Sequence, residues 1–321
     1  MKSKSNPSLP YLLLLIGVLA VSTAAILIRF ALVEADSLVI AAYRLTISAI
    51  LTVVLLGFTK NRGSFKPTKS SVYLLILSGT LLAVHFAAWI ASLNYISVSS
   101  SVILVTTTPL WVALLSPFLL KEKVSPKFYW GMIIVMIGGI FIALSGSCQL
   151  TGGQLHCSET PLLSNSNSLI GMLLALLGAL MAAGYMMIGR KLRAEMDNLH
   201  YTSIVYGVAA LILDLVVVFR GDNLFHYSPR IFLVLIAMAV IPQMIGHSIL
   251  NYSLQALPAT VVSMALLGEP IGSTILAVIF LNEIPSTLEI IGGICILCGI
   301  IVSVLPGKKA NAVSPFRPYP R

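Results

Sequence analysis

Ten apolar runs follow one another through this chain, separated only by short polar breaks, at residues 11–33, 38–59, 72–96, 99–120, 127–144, 169–190, 201–219, 231–254, 257–281 and 288–305. Each is about as long as a helix needs to be to cross a hydrocarbon core, roughly 20 residues. They are continuously apolar rather than alternating, which excludes the strands of a membrane barrel. Glycine and proline inside them do not argue against helix, because neighbouring helices re-satisfy the freed backbone groups. Charged residues make up 10% of the chain, against about 25% in a soluble domain. A surface so poor in charge has to face lipid, so the expected fold is an all-α integral membrane protein with ten transmembrane helices. The first run follows Lys2 and Lys4 as a signal peptide would, but it is too long for an ordinary h-region and is read as a retained helix.

The formal net charge of +9 does not indicate a nucleic-acid partner. The basic residues lie in short clusters between apolar runs, as they do in cytoplasmic loops. Alternate loops place 16 of them on one side: Lys2, Lys4; Lys60, Arg62, Lys66, Lys69; Lys121, Lys123, Lys127; Arg190, Lys191, Arg193; Lys308, Lys309, Arg317 and Arg321. The other side receives Arg220 and Arg230 with the acidic Glu34, Asp36, Glu159, Asp222 and Glu283. Both termini are therefore expected in the cytoplasm, in a multi-pass protein of the plasma or inner membrane. An even number of spans requires the same. Cys295 and Cys298 form a CxxC inside an apolar run without further soft ligands, which reads as packing, and no metal site is expected. Cys148 and Cys157 share an outer loop where a disulfide could persist.

A second constraint is self-similarity at an offset of 161 residues. Arg29 lands on Arg190, Ser92 on Ser253, Pro109 on Pro270, Glu122 on Glu283, Ser125 on Ser286, Gly131 on Gly292 and Gly138 on Gly299. Five spans per copy is an odd number, so the second copy enters the membrane from the opposite side and the repeat is inverted. The expected organisation is a cytoplasmic N-terminus at 1–10, a first repeat at 11–145, an extracytoplasmic loop at 146–168, a second repeat at 169–305 and a basic, Pro-rich cytoplasmic tail at 306–321.

The stretch PLWVALLSPFLLKEKVSPKFYWGMIIVMIGG from Pro109 and its mate GEPIGSTILAVIFLNEIPSTLEIIGGICILCG from Gly268 carry a recognisable pattern. They resemble the paired signatures of EamA-type members of the drug/metabolite transporter superfamily, and the resemblance covers nearly the whole chain. It implies ten helices, a central cavity at the repeat interface, and export or exchange of amino acids or related metabolites. The long outer loop from Gly146 to Ser168 departs from that pattern.

Inverted-repeat carriers bind solute near mid-membrane, often where helices are broken. Pro109 and Pro270 stand in the middle of the fourth and ninth runs, Thr106, Thr107 and Thr108 before the first, Gly268 and Glu269 before the second. Each proline is a packing kink, a hinge lining the cavity, or both. A carboxylate at this depth must be protonated, paired or wet, so Glu269 is a structural acid, a substrate contact or a proton carrier; Ser273 lies one turn on. His85, Trp89 and Ser92 share one face of the third run, and Gln243, His247 and Asn251 one face of its repeat partner, the eighth. Two polar stripes in partner helices point to cavity lining for a small amphipathic solute.

Depth separates Arg29 and Glu122 but allows Arg29 with Glu283 outside and Arg190 with Glu122 inside. These cross-repeat pairs are candidate gate latches; the alternative is snorkelling arginines and helix-capping acids. Arg44 and Asp214 either pair with each other or meet an anionic solute. No phosphate-loop motif and no nucleophile–base motif is present, so the chain is read as neither an ATPase nor an enzyme, with no cofactor, a small molecule and lipid as partners, and protons as a candidate coupling ion. A sugar-phosphate or organic-anion carrier, and a non-transporting receptor or scaffold, remain the alternatives; oligomeric state is left open.

Overall fold

The computed structural model describes residues 9–59, 68–119, 126–145, 148–151, 154–157, 166–257 and 259–304. Among them, eight helices are long and apolar enough to cross a membrane, and two shorter apolar helices, Tyr129–Ile142 and Thr287–Val302, bring the total to ten. The chain is thus an all-α integral membrane protein of two inverted five-helix repeats. A small antiparallel hairpin, β1 (Cys148–Thr151) and β2 (Gln154–Cys157), is added in the long central loop. Cys148 is disulfide-bonded, and its partner across the ladder is Cys157. The expected N-terminal segment up to residue 8, the tail at 306–321 and Glu122 lie outside the described residues.

The first repeat runs α1 (Leu9–Ser22), α2 (Ala24–Ala31), α3 (Ser37–Phe58), α4 (Lys69–Ser92), α5 (Val98–Val105), α6 (Thr108–Leu119) and α7 (Pro126–Ser145). The second runs α8 (Ser166–Leu192), α9 (Asn198–Arg220), α10 (Pro229–Met238), a π-helical segment Ala239–His247, α11 (Ser248–Ala256), α12 (Ala259–Ala265), a 3-10 turn Leu266–Gly268, α13 (Glu269–Leu281) and α14 (Thr287–Val304). Side-chain caps fix several helix starts: Asp36 accepts from Leu38 N, Thr68 and Ser71 form a capping box, Ser97 accepts from Ser100 N, and Asp197 accepts from His200 N. Each satisfies amides that the first helical turn leaves without partners.

The repeat symmetry is visible in packing. A Cβ placed on Gly138 would stand 2.7 Å from the carbonyl oxygen of Gly292, and one on Gly292 would stand 2.7 Å from that of Gly138. Small residues let α7 and α14 approach backbone to backbone, as membrane helices do without a hydrophobic drive between them. The first span packs on the eighth in the same way as the sixth packs on the third: Gly17 approaches the Gly246 carbonyl, and its mate Gly178 approaches that of His85. Buried apolar side chains from both repeats form one main core, while Leu211, Ile279, Met136 and similar residues stay exposed towards lipid.

Helix breaks fall just before the two expected prolines rather than at them. α5 ends at Val105 and α6 begins at Thr108, so Pro109 sits in a first turn; Pro270 does the same at the start of α13. There its missing N–H lacks a helical partner anyway, so neither proline removes a bond from a continuous helix. The eighth span bends by another device, the π-helical segment containing Pro242. One carbonyl of that segment, Ala239 O, accepts from Ser48 Oγ at 3.0 Å. Its repeat mate in α4 is regular helix, so the two halves are not copies here.

Candidate functional site

Polar groups that the helix breaks and the π segment bring to mid-membrane converge on a cavity between the repeats. Its wall includes His85, Trp89, Thr106 and Thr108 from the first repeat and Tyr185, His247, Asn251 and Glu269 from the second. The open volume is about 50 Å³, room for a few water molecules. The cavity is therefore small in this conformation, and any larger solute requires the walls to part.

Of the expected cavity residues, His85, Trp89, Thr106, His247, Asn251 and Glu269 share this wall. His85 stacks on Trp89 with ring centroids 6.0 Å apart, and its Nδ1 lies 2.9 Å from the Gly178 carbonyl of α8. The His85 and His247 ring centroids are 6.4 Å apart, with the planes tilted by 56°. Trp89 Nε1 is buried without a hydrogen-bond partner among the described residues. Glu269 is 7% exposed, and no hydrogen bond to its carboxylate is found among the described residues.

Ser92, Pro109, Gln243, Pro270 and Ser273 are buried beside this wall but not part of it. Ser92 Oγ is 2.7 Å from Ser101 Oγ, tying the α4 end to α5. Ser273 Oγ donates back to the Pro270 carbonyl. Gln243 turns to Arg44, accepting from Nε at 2.8 Å. Arg44 and Asp214 do not pair: Asp214 accepts from Thr46 Oγ1 at 2.9 and 3.1 Å, while the Arg44 guanidinium lies 4.1 Å from the Phe86 ring centroid.

On the side of the β-hairpin, contacts between the repeats cross beside the site. Arg29 Nη2 lies 3.3 Å from Glu283 Oε1 and donates to the Ile96 carbonyl at 2.9 Å. The same Glu283 oxygen accepts from Val98 N. Glu34 accepts from Ser228 N and Oγ at 2.8 and 2.7 Å, and Arg220 lies 3.6 Å from Asp36. Those two bonds, the backbone one foremost, hold the Glu34 carboxyl below the ordinary carboxylate value. Beside the Arg29–Glu283 pair is a second cavity of about 260 Å³ bordered by Tyr95, Ser97, Ser100, Ser145 and Glu289.

On the opposite side, Arg190 Nη1 donates to the Leu254 carbonyl at 2.5 Å, as Arg29 does to Ile96 in the other repeat. Its expected partner, Glu122, lies outside the described residues.

Sequence reasoning missed Tyr185, Arg193 and Glu289. Arg193 is fully buried and donates through Nε to the Asn251 carbonyl at 3.2 Å and through Nη1 to Met196 O. In the sequence it belongs to a basic loop cluster, and nothing in that cluster separates a buried arginine from a solvated one. Glu289 accepts from Ser100 Oγ and from Ser286 N; the S-x-x-E spacing of Ser286 and Glu289 is a capping-box signal that could have found it.

A family model described as the EamA-like transporter family matches residues 8–144 and again 169–305. An uncharacterized transporter of Archaeoglobus fulgidus is 23% identical over 295 residues, covering 91% of this chain and 96% of its own. The pseudopaline exporter CntI of Pseudomonas aeruginosa is 22% identical over 234 residues, covering 73% and 75%. A solved crystal structure superposes with a TM-score of 0.65 at 16% identity, over 92% of this chain and 96% of the other.

Proposed function

The chain belongs to the EamA-like transporter family of the drug/metabolite transporter superfamily, and from that premise we propose that it is a secondary carrier exporting or exchanging small metabolites, amino acids or related compounds foremost. The observation that carries this reading is the small cavity shared by both repeats, with the Glu269 carboxylate and a Trp89 donor that lacks a partner among the described residues on its wall. Aromatic faces with a few convergent polar groups suit a small amphipathic solute. A buried carboxylate without a fixed partner offers an ammonium group, or a proton, a place to bind.

In this reading the two repeats exchange conformations, so that closure at the hairpin-side mouth alternates with closure at the other. The cross-repeat contacts around Arg29 and Glu283 are the closure now in place. The basic loops and both termini face the cytoplasm of a plasma or inner membrane, and the hairpin faces outward, where its disulfide persists. Export by the Pseudomonas relative agrees with the direction proposed.

Counterflow in proteoliposomes tests it. Vesicles loaded with unlabelled amino acids, with and without a pH gradient, should accumulate the labelled form of at least one of them. Glu269→Gln protein should accumulate at least tenfold less. If the protein moves no member of a broad metabolite panel in either direction, the carrier reading fails and a receptor or scaffold role takes its place.

A further inference from the structure

Among the described residues of the first repeat, the most heavily buried cation has the least local compensation. Arg44 is fully buried, yet among the described residues only its Nε is engaged, by Gln243; Nη1 and Nη2 have no hydrogen-bond partner. No ion pair to Arg44 is found among the described residues, because Asp214, the acid at comparable depth, is taken by Thr46. Glu269 lies close enough for its charge to be felt by Arg44, but without a hydrogen bond between them. The guanidinium lies over Phe86, with Cζ 4.1 Å from the ring centroid, and is oriented by Gln243 through Nε, so Nη1 and Nη2 form a fork on its far side.

We propose that this fork binds the carboxylate of the carried solute. Two parallel N–H donors match the two oxygens of a carboxylate, and a guanidinium stacked on an aromatic ring retains its donors for that use. Arg44 is the eighth residue of α3, about 11 Å along the helix from its hairpin-side end, whereas Glu269 begins α13, about 18 Å from that side. The fork therefore lies on the latch side of the cavity. Trp89 belongs to both places, lining the cavity and standing 5.9 Å from Arg44 Cζ. In this closed state Phe86 covers the fork; a solute leaving the cavity towards the hairpin side meets Arg44 once that ring turns. A single cation opposite one carboxylate suits a solute with one negative charge rather than a phosphate dianion, which separates this proposal from a sugar-phosphate carrier.

The proposal rests on the carrier reading for the word solute, but binding tests it without transport. Full-length protein in lipid nanodiscs would be titrated with leucine, phenylalanine and serine, with the three matching amides, and separately with chloride and inorganic phosphate, following the thermal unfolding midpoint. Ligand that binds the folded state raises that midpoint. At least one carboxylate should act at a tenfold lower concentration than its amide. Arg44→Gln should remove that preference. Gln243→Glu, which supplies an internal carboxylate to the fork and keeps the buried charge satisfied, should remove it as well without lowering stability; Arg44→Lys should retain part of it. The proposal is overturned if no carboxylate outperforms its amide, if the preference survives in both Arg44→Gln and Gln243→Glu, or if only chloride or phosphate raises the midpoint. Continued transport of the amides by Arg44→Gln protein would show that the carrier stands even where the subsite does not.

Discussion

Arg29 and Glu283 meet across the repeat boundary, Nη2 to Oε1 at 3.3 Å, and each also holds the backbone of the turn that joins the third and fourth spans. One carboxylate and one guanidinium thus tie three helix ends together. A partly exposed ion pair contributes only about 0.2–1 kcal/mol, too little to lock a mouth but enough to bias an open–closed equilibrium several-fold. Reversing either charge should impair transport several-fold, and the double reversal, Arg29→Glu with Glu283→Arg, should recover part of the loss. Initial rates of the four proteins in vesicles measure this; a double variant no better than either single one would leave the pair without a gating role.

Gly138 and Gly292 test the packing symmetry. A methyl at either position meets backbone on the facing helix at 2.7 Å, and backbone cannot move aside cheaply. Gly138→Ala should lower the unfolding midpoint by an amount equivalent to about 1–3 kcal/mol. Gly139→Ala adds its methyl where nothing lies within 4 Å, and should leave stability unchanged or slightly raised. Equal effects of the two substitutions would show that α7 and α14 do not pack as described.

Glu269→Gln keeps the shape of the side chain and removes a charge from the cavity wall. Stability should change little, since relief of one buried charge is offset by loss of the acid whose charge Arg44 feels, while transport falls at least tenfold. Thermal unfolding in detergent next to vesicle uptake separates the two effects. Unfolded protein would mark the acid as structural, the alternative that the sequence left open.

Glu34 gives the hairpin-side closure a pH signature. Its carboxyl is held below its ordinary value by bonds from Ser228. A depressed folded value means that the contact's contribution is fully present above the unfolded carboxylate range and is lost as pH falls through the lowered value. Protection of the Ile231 and Phe232 amides, which follow the Ser228 cap, measured against the intrinsic exchange rate at each pH, should therefore hold from neutral pH down through the usual carboxylate range and fall only below it. Glu34→Gln should remove that dependence; fast exchange already at neutral pH in the unaltered protein would contradict the contact.

The spans, the inverted repeat and the Arg29–Glu283 contact were legible because each rests on a constraint readable in one dimension: run length, a constant offset, and depth. Side-chain direction was less so. Ser92 and Trp89 lie on one stripe, yet the serine turns to Ser101 while the indole lines the cavity, a choice set by where α5 begins. The π segment was hidden because Pro242 alone does not distinguish a kink from an extra residue in the turn; its effect is to spend Gln243 on Arg44 while His247 faces the cavity. Arg193 could not be told from its solvated neighbours, since burial depends on the turn folding back under α11.

The claim that the two repeats trade one closure for another is tested most directly by distance. Spin labels at Val33 and Ile284, both 80% exposed at the hairpin-side mouth, would be measured by pulsed electron resonance in nanodiscs. The unaltered protein should show a short population, Arg29→Glu should add a longer one, and the double charge reversal should restore the short one. A single distance, the same in all three proteins and with or without solute, would mean that this mouth does not open and would contradict alternation.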